Sequence, residues 1–416
     1  MRQTSTGSVA DLLSSRRPGY SLPGPFYTGE AAFEADLDHI WHREWVLAGA
    51  EAELAAPGAF LTLTVGRYPL IVVRGLDGVL RALHNVCRHR GAQLCSEPAG
   101  RITRTLVCPY HQWAYRLDGA LHRARAMPPD LPTGDPDGEL SLGSAHCVSI
   151  GGLVFVCVAD TPPDAAPLRA LVEPYLAPFD LGSARVAHSV AIVEQGNWKL
   201  VMENNRECYH CRASHPELCR TFPEAPLHSG GGSPEEARAT AELVARCQAA
   251  GLPSEFLSSD DNAYRVMRMA LLDGAAAMTL NGKPAVAQRF PATSLVPNGD
   301  VGDLLLYHYP STWNHVQADH AVLFRLLPLT PTTSELRTTW LVPGEAVEGM
   351  DYDLTTLTEV WLTTNGQDAA LVERTQRGVT SPAYRPGPYA PVEEEGVIQF
   401  IDWYCRLLST RLEETP

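Results

Sequence analysis

Across its 416 residues the chain is 45% hydrophobic and 19% charged, which excludes a disordered protein and leaves room for two domains with their own cores. The formal net charge is −15 with no basic run to offset it, so no nucleic-acid partner is expected, and the long-range field favours a cationic substrate or a basic redox partner. Ten cysteines are too sparse for a disulfide scaffold, and a reduced, cytoplasmic setting is the simpler expectation.

Residues 1–44 read as an arm followed by a helix. The first 25 are rich in Ser, Arg, Gly and Pro and lack the continuous apolar stretch of a signal peptide. From Glu30 to Trp45, the residues Phe33, Leu37, Ile40 and Trp41 recur at helical spacing, which predicts an amphipathic helix. The region 45–160 reads as a small antiparallel β domain, with strands over 59–65, 70–74 and 79–85. Asp77-Gly78 between the last two is a hairpin signal, and Asp118-Gly119 after 113–117 is another. The run 147–159 is the most apolar in the chain, yet it is too short to span a bilayer and is broken by Gly151 and Gly152. It reads as buried strand, and no membrane partner is expected.

Within this region lies the sharpest motif. Cys87-x-His89 is followed, after eighteen residues, by Cys108-x-x-His111, in the settings NVCRHRGAQLC and LVCPYHQWAY. Each half offers one thiolate and one imidazole at the tip of a β loop. A tetrahedral zinc accepts two sulfurs and two nitrogens. So does a [2Fe–2S] cluster with both cysteines on one iron and both histidines on the other, the Rieske arrangement. Cys95 lies near the loop without an assigned ligand role, while Cys147, Cys157, Cys247 and Cys405 sit in apolar patterns and read as core.

The region 161–416 reads as a second domain. A strand over 186–193 leads into 197–215, NWKLVMENNRECYHCRASH, read as a helix. Glu207 stands three residues before His210, one helical turn away on the same face. His215 can swing to the same point if the helix ends there, and Pro216 disfavours helical geometry at the residue before it. Two neutral imidazoles with a carboxylate nearby suit a divalent metal, iron(II) among them; taken alone, the stretch also fits a helix with solvated charges. The run Gly230 to Gly232 is a break, and Ser233-Pro234-Glu235-Glu236 predicts a capped helix to Gln248, part of a helical excursion or lid over 220–260. Strands are predicted over 304–309, 321–327 and 335–342, and helices over 352–376 and 394–412.

The Cys87/His89 and Cys108/His111 motif, with Arg88, Arg90, Gly91 and the run 109–113 around it, matches the Rieske family more closely than a zinc ribbon. Taken with the 197–215 stretch, it makes the chain resemble, over nearly its whole length, the Rieske non-haem iron oxygenases. The resemblance implies an α+β fold: an N-terminal antiparallel β domain with the Rieske [2Fe–2S] cluster, then a C-terminal helix-grip-like catalytic domain with antiparallel sheet and helices. It implies a mononuclear Fe(II) held by His210, His215 and Asp368, the last in TTNGQDAALVERTQRG. It implies that Glu207, where ring-hydroxylating members usually carry aspartate, links the Rieske histidine of one subunit to His210 of the next, and hence a head-to-tail homotrimer. Dioxygen is the implied co-substrate, and electrons come from NAD(P)H through a separate ferredoxin-type reductase with flavin and iron–sulfur centres.

ENNRECYHC, YHYPSTWNH at 307–315, NGKPAV at 281–286 and SPAYRPGPY at 381–389 look like the members that oxidise trimethylammonium compounds. The implied reaction is N-demethylation of a small quaternary ammonium substrate, glycine betaine first, with proline betaine, carnitine or choline as alternatives. Aromatic faces hold such a cation, which singles out Tyr307, Tyr309 and Trp313, with Asn314 and His315 for a substrate carboxylate. Met202, Met278 and Ala276 are the residues expected to tune pocket volume. The rival from another class is a Rieske electron-transfer protein, which needs no second metal site.

Overall fold

The computed structural model describes residues 8–127, 138–223 and 232–414. Two units emerge: one of residues 41–165 with 181–183, the other of 1–40, 166–180 and 184–416. The segment before residue 41 therefore belongs with the larger unit rather than standing as an arm.

The smaller unit is built of β1 (Val46–Ala50), β2 (Ala59–Val65), β3 (Tyr68–Arg74), β4 (Leu80–His84), β5 (Ala99–Arg101), β6 (Thr105–Val107), β7 (Ala114–Arg116), β8 (Leu121–Arg123), β9 (Ser144–Ile150) and β10 (Leu153–Cys157). Seven of these form a sheet in the order β1-β10-β9-β4-β3-β2-β5, and β6-β7-β8 form a second. Both Asp-Gly pairs turn hairpins, β3 to β4 and β7 to β8, with Gly78 and Gly119 at positive φ where a side chain is disfavoured. The apolar run 147–159 supplies β9 and β10, with every residue of β10 buried. Between the sheets, Ile71, Val73, Leu83, Leu106, Trp113 and Tyr115 close one core, and Cys87 and Cys108 are part of it.

The larger unit opens with short helices α1 (Val9–Ser14), α2 (Pro25–Thr28) and α3 (Glu30–Asp36). The helix predicted from Glu30 stops at Asp36 and gives way to a wider turn over Leu37–Trp41, which still buries Leu37, Ile40 and Trp41. Next come α4 (Ala166–Leu176), β11 (Arg185–Glu194), α5 (Trp198–Asn205), α6 (Cys211–Ser214) and α7 (Pro234–Ala249). The chain then lays down β12 (Leu257–Ser258), β13 (Tyr264–Met269), β14 (Asp303–His308), β15 (Thr312–Val316), β16 (Ala321–Thr330) and β17 (Thr333–Val342), and ends in α8 (Leu354–Val379) and α9 (Glu395–Glu413). The sheet is a meander from β12 to β17 that closes on β11. Helix α8 lies against it: Asn365 donates to Thr338 of β17 at 2.9 Å, and the Trp361 ring meets those of His315 and Phe324.

The Ser233 capping box forms as the sequence requires, with Ser233 and Glu236 exchanging hydrogen bonds. Helix α7 packs on β13 instead of covering the site, and residues 224–231, including Gly230 and Gly231, lie outside the described residues. Buried under α3, α5 and α9 is a polar knot. Asp36 accepts from Trp198 Nε1 at 2.9 Å, from Tyr404 Oη at 2.7 Å and from Lys199 Nζ, all fully buried. No helix among the described residues is long and apolar enough to cross a membrane.

Candidate metal sites and catalytic cavity

In the smaller unit the two Cys/His loops close in the same way. Cys87 N–H donates to the carbonyl of Ala92, and Gly91 N–H returns to that of Cys87, each at 2.9 Å. Cys108 N–H donates to Trp113 at 2.8 Å, and Gln112 N–H returns to Cys108 at 3.0 Å. The fourth residue after each cysteine takes positive φ, Gly91 at 77° and Gln112 at 63°. Both sulfurs are buried and free of disulfides. The imidazoles of His89 and His111 stand 4.6 Å apart, and both Nδ1 atoms are buried without a hydrogen-bond partner. Two buried thiols and two ring nitrogens left without partners, on two loops whose imidazoles meet, are the donor types a Rieske cluster takes. Tyr115 Oη accepts from Arg88 N at 3.0 Å and lies 3.3 Å from Cys87 Sγ, so its own proton is available to that sulfur.

In the larger unit the 197–215 stretch is not one helix. Helix α5 ends at Asn205 with Arg206 as its C-cap, so Glu207 and His210 do not share a helical face. Glu207 sits in the following turn, where its carboxylate accepts from the backbone N–H groups of Tyr209 and His210 and reaches His210 Nδ1 at 2.5 Å. This short-range capping competes with helix continuation. At the other end α6 stops at Ser214, and His215 before Pro216 takes φ −128° and ψ 63°, out of helical geometry.

The carboxylate at Glu207 fixes the His210 proton on Nδ1 and leaves Nε2 with its lone pair. The second imidazole is set the same way: Gln367 donates through Nε2 to Glu217 at 3.0 Å, so its oxygen, 2.8 Å from His215 Nδ1, accepts there. Both Nε2 lone pairs then face each other at 3.0 Å, with Asp368 Oδ1 3.3 Å from His210 and 2.9 Å from His215. Three such atoms so close are held either by a proton shared between the imidazoles and Asp368 or by a metal cation between them. Donor atoms at right angles, each about 2.1 Å from a common ion, stand about 3 Å apart, so the triangle fits a facial metal site. Burial opposes a charged ring at His210, yet its bonds to Asp368 and Glu207 outweigh that and push it up to about 9. Cys211 Sγ is near the two imidazoles as well, but it forms a disulfide with Cys208, a local pairing the sequence reading did not foresee.

One cavity reaches this triangle. Tyr307 and His315 line it, as do Phe222, Phe256 and Trp361, with Met267, Met269 and Leu305 on the sheet wall. Trp313 belongs to a small neighbouring hollow beside Glu194 and Asp368, stacked on Phe324. Tyr309 does not share a face with Tyr307 along one strand, because β14 ends at His308; its hydroxyl instead accepts from Arg206 Nε at 2.6 Å. Asn314 lies on the other side of β15 from His315, its oxygen accepting from Thr312 Oγ1 and Phe324 N. His315 is held by Asp303 at 2.8 Å. Met202 and Met278 are buried away from the cavity, and Ala276 does not line it. The residues missed are Phe222, Phe256, Trp361, Met267 and Met269, together with two arginines, Arg206 and Arg265. The signal available for Arg265 was a pair of charges inside an apolar strand, Arg265 and Arg268 in YRVMRM, which does not say which of the two faces the cavity.

Residues 44–142 match the Rieske [2Fe–2S] domain family, and residues 181–410 match the ring hydroxylating alpha subunit (catalytic domain) family. The chain is 41% identical over 410 residues to the glycine betaine monooxygenase oxygenase subunit of Pseudomonas aeruginosa (strain UCBPP-PA14), covering 98% of this chain and 93% of that one. It is 42% identical over 414 residues to the same subunit of Chromohalobacter salexigens, covering 98% and 91%. Among solved structures, a quaternary ammonium Rieske monooxygenase in complex with an inhibitor superposes with a TM-score of 0.71 at 20% identity, over 95% of this chain and 98% of that one, a likeness of fold.

Proposed function

The chain belongs to the Rieske non-haem iron oxygenases, a monooxygenase α subunit with a [2Fe–2S] cluster and a mononuclear iron as cofactors, and from that premise we propose that it N-demethylates a small quaternary ammonium compound, glycine betaine foremost. In this reading Cys87, His89, Cys108 and His111 hold the cluster, and His210, His215 and Asp368 hold the iron. When bound, these groups supply single-electron transfer and dioxygen activation for hydroxylating an unactivated C–H bond. The balance consumes one O2, two electrons from a reductase and two protons, and releases water. The hydroxylated N-methyl group leaves as formaldehyde, with the demethylated amine as the second product.

The observation that carries the proposal is the cavity joining the His210–His215–Asp368 triangle to aromatic walls. Trp361 and Phe222 offer ring faces, which attract a cation that has no N–H to donate, while Tyr307 and Phe256 already carry the Arg206 and Arg265 guanidiniums over one face each. The near full-length similarity to glycine betaine monooxygenase oxygenase subunits supports the same substrate. Glu207 keeps His210 in the tautomer a metal ligand needs, and its position in the turn suits a link to the cluster histidine of a neighbouring subunit in a trimeric ring.

The test is turnover with a panel of betaines, carnitine and choline, scoring formaldehyde against reductase oxidation. Glycine betaine is expected to give the highest kcat/KM with formaldehyde equal to oxygen consumed, on a protein holding about three irons per chain. Oxygen consumed without formaldehyde across the panel, or an iron content of about two, defeats the reading.

A further inference from the structure

Among the described residues, the buried cations of the larger unit have ion-pair or hydrogen-bond partners except Arg265, and its neighbour Arg206 has no carboxylate partner. Lys199 is paired with Asp36 and Arg325 with Glu335, while Arg268 donates to Ser254 and to the carbonyl of Val301. Arg265 is 4% exposed, yet its guanidinium makes no hydrogen bond and no ion pair among the described residues, and its Nε is buried without a partner. It lines the cavity from β13, directly across the strand pair from Tyr307 on β14. Arg206, 8% exposed, lines the same cavity from the end of α5. Its guanidinium lies 3.9 Å over the Tyr307 ring and spends Nε on the Tyr309 hydroxyl, again with no carboxylate opposite.

Burying an unpaired guanidinium is costly, and burying two side by side adds their repulsion. Burial and the Arg206 charge hold Arg265 down to about 10, which still leaves it charged at neutral pH. Nearby carboxylates offset this only in part: the charge of Glu395 favours the charged form of Arg265 without an ion pair to it, Glu393 also lines the cavity, Glu207 is engaged at His210 and Asp368 at the two imidazoles. A fold keeps such a pair when something that enters the cavity completes it. The group that does so best is a carboxylate, whose two oxygens match the planar fork of an arginine.

We infer that Arg265, with Arg206 beside it, forms an anion subsite that takes the carboxylate of a zwitterionic substrate. This rests on the demethylase reading and sharpens it: the compound accepted is a quaternary ammonium carrying a carboxylate on a short tether. Choline, which brings a cation and no anion, meets two uncompensated guanidiniums and is rejected. The sheet wall thus sets which trimethylammonium compounds enter, while the helices carry the metal-side groups.

The experiment measures binding to the holoenzyme by calorimetry, separately from turnover. The probes are glycine betaine, choline, 3,3-dimethylbutanoate (carbon for nitrogen, so an anion without the cation) and its alcohol, 3,3-dimethylbutanol. Wild type is expected to bind the butanoate and to prefer it to the alcohol by about 100-fold. Arg265→Gln loses that preference and the affinity for glycine betaine by a similar factor, with cluster spectrum and iron content unchanged. Arg265→Lys, which keeps charge but not the fork, falls between. Equal binding of butanoate and alcohol by wild type overturns the subsite without any variant, as does unchanged glycine betaine affinity in Arg265→Gln. Two further outcomes separate the claims. Butanoate bound through Arg265 with no betaine turned over sinks the demethylase and keeps the subsite; betaine demethylated with the same KM by wild type and Arg265→Gln does the reverse.

Discussion

Glu207 does two jobs with one carboxylate. One oxygen caps the turn after α5 through the N–H groups of Tyr209 and His210, and the other orients the His210 ring. Because the ring is also held by its place in the turn, Glu207→Ala is expected to leave both metal centres loaded while product formation falls about 10- to 100-fold, the usual effect of removing such a support. Metal analysis beside formaldehyde assay checks this, and normal product formation removes Glu207 from the catalytic path. His210→Ala, in contrast, is expected to lose the mononuclear iron and keep the cluster, dropping from about three irons per chain to about two. The two Cys/His pairs and the His210–His215 pair were legible as candidates because thiols and imidazoles at fixed spacing have few other uses, while Asp368 was singled out only by the family resemblance. Arg265 was not legible, since its meaning depends on which strand lies opposite and on the lack of a partner, and neither is written along the chain. Tyr309 misled for the same kind of reason: an aromatic after the end of β14 turns to serve Arg206 instead of the cavity.

At the scale of elements, strands with Asp-Gly turns and the long terminal helices were readable within a few residues, since periodicity and turn chemistry act locally. The 197–215 stretch and the helix from Glu30 were overextended. In both, a tertiary or capping interaction ends the helix before its apolar pattern does. Asp36, the last residue of α3, is the case with consequences, because it anchors Lys199 and Trp198 of α5 and Tyr404 of α9. Asp36→Asn leaves a buried ammonium without its counter-charge and is expected to cost about 3–5 kcal/mol. The double variant Asp36→Leu, Lys199→Met is expected to recover most of it. Urea unfolding of the three proteins tests the pair; a single variant as stable as wild type shows the knot to be dispensable.

For the whole molecule, stability is expected to depend on pH through Glu203. Burial pushes its carboxyl up to about 7 from an ordinary 4.5, although Tyr27 and Tyr389 donate to it at 2.8 and 2.9 Å. A carboxyl raised in the fold is protonated there while the unfolded chain has already ionised. The unfolded state therefore binds fewer protons between pH 4.5 and 7, and this group's contribution is lost as pH rises through that window. Glu203→Gln is expected to flatten the slope of unfolding free energy between about pH 5 and 7, read from urea midpoints across the range. An unchanged slope assigns the pH dependence elsewhere. The division into units was only partly legible. The β domain announced itself by its turns, but the opening segment gave no sign that it joins the larger unit, because its contacts are with residues hundreds of positions later.

Met267 and Met269 look into the cavity from a strand that contributes none of the proposed iron ligands. Thioethers are the most pliable of apolar side chains. Trimming or branching them reshapes the room around the methyl groups while the reactive apparatus stays untouched. For anyone wishing to retarget this enzyme to bulkier quaternary ammonium compounds, that strand is the dial to turn.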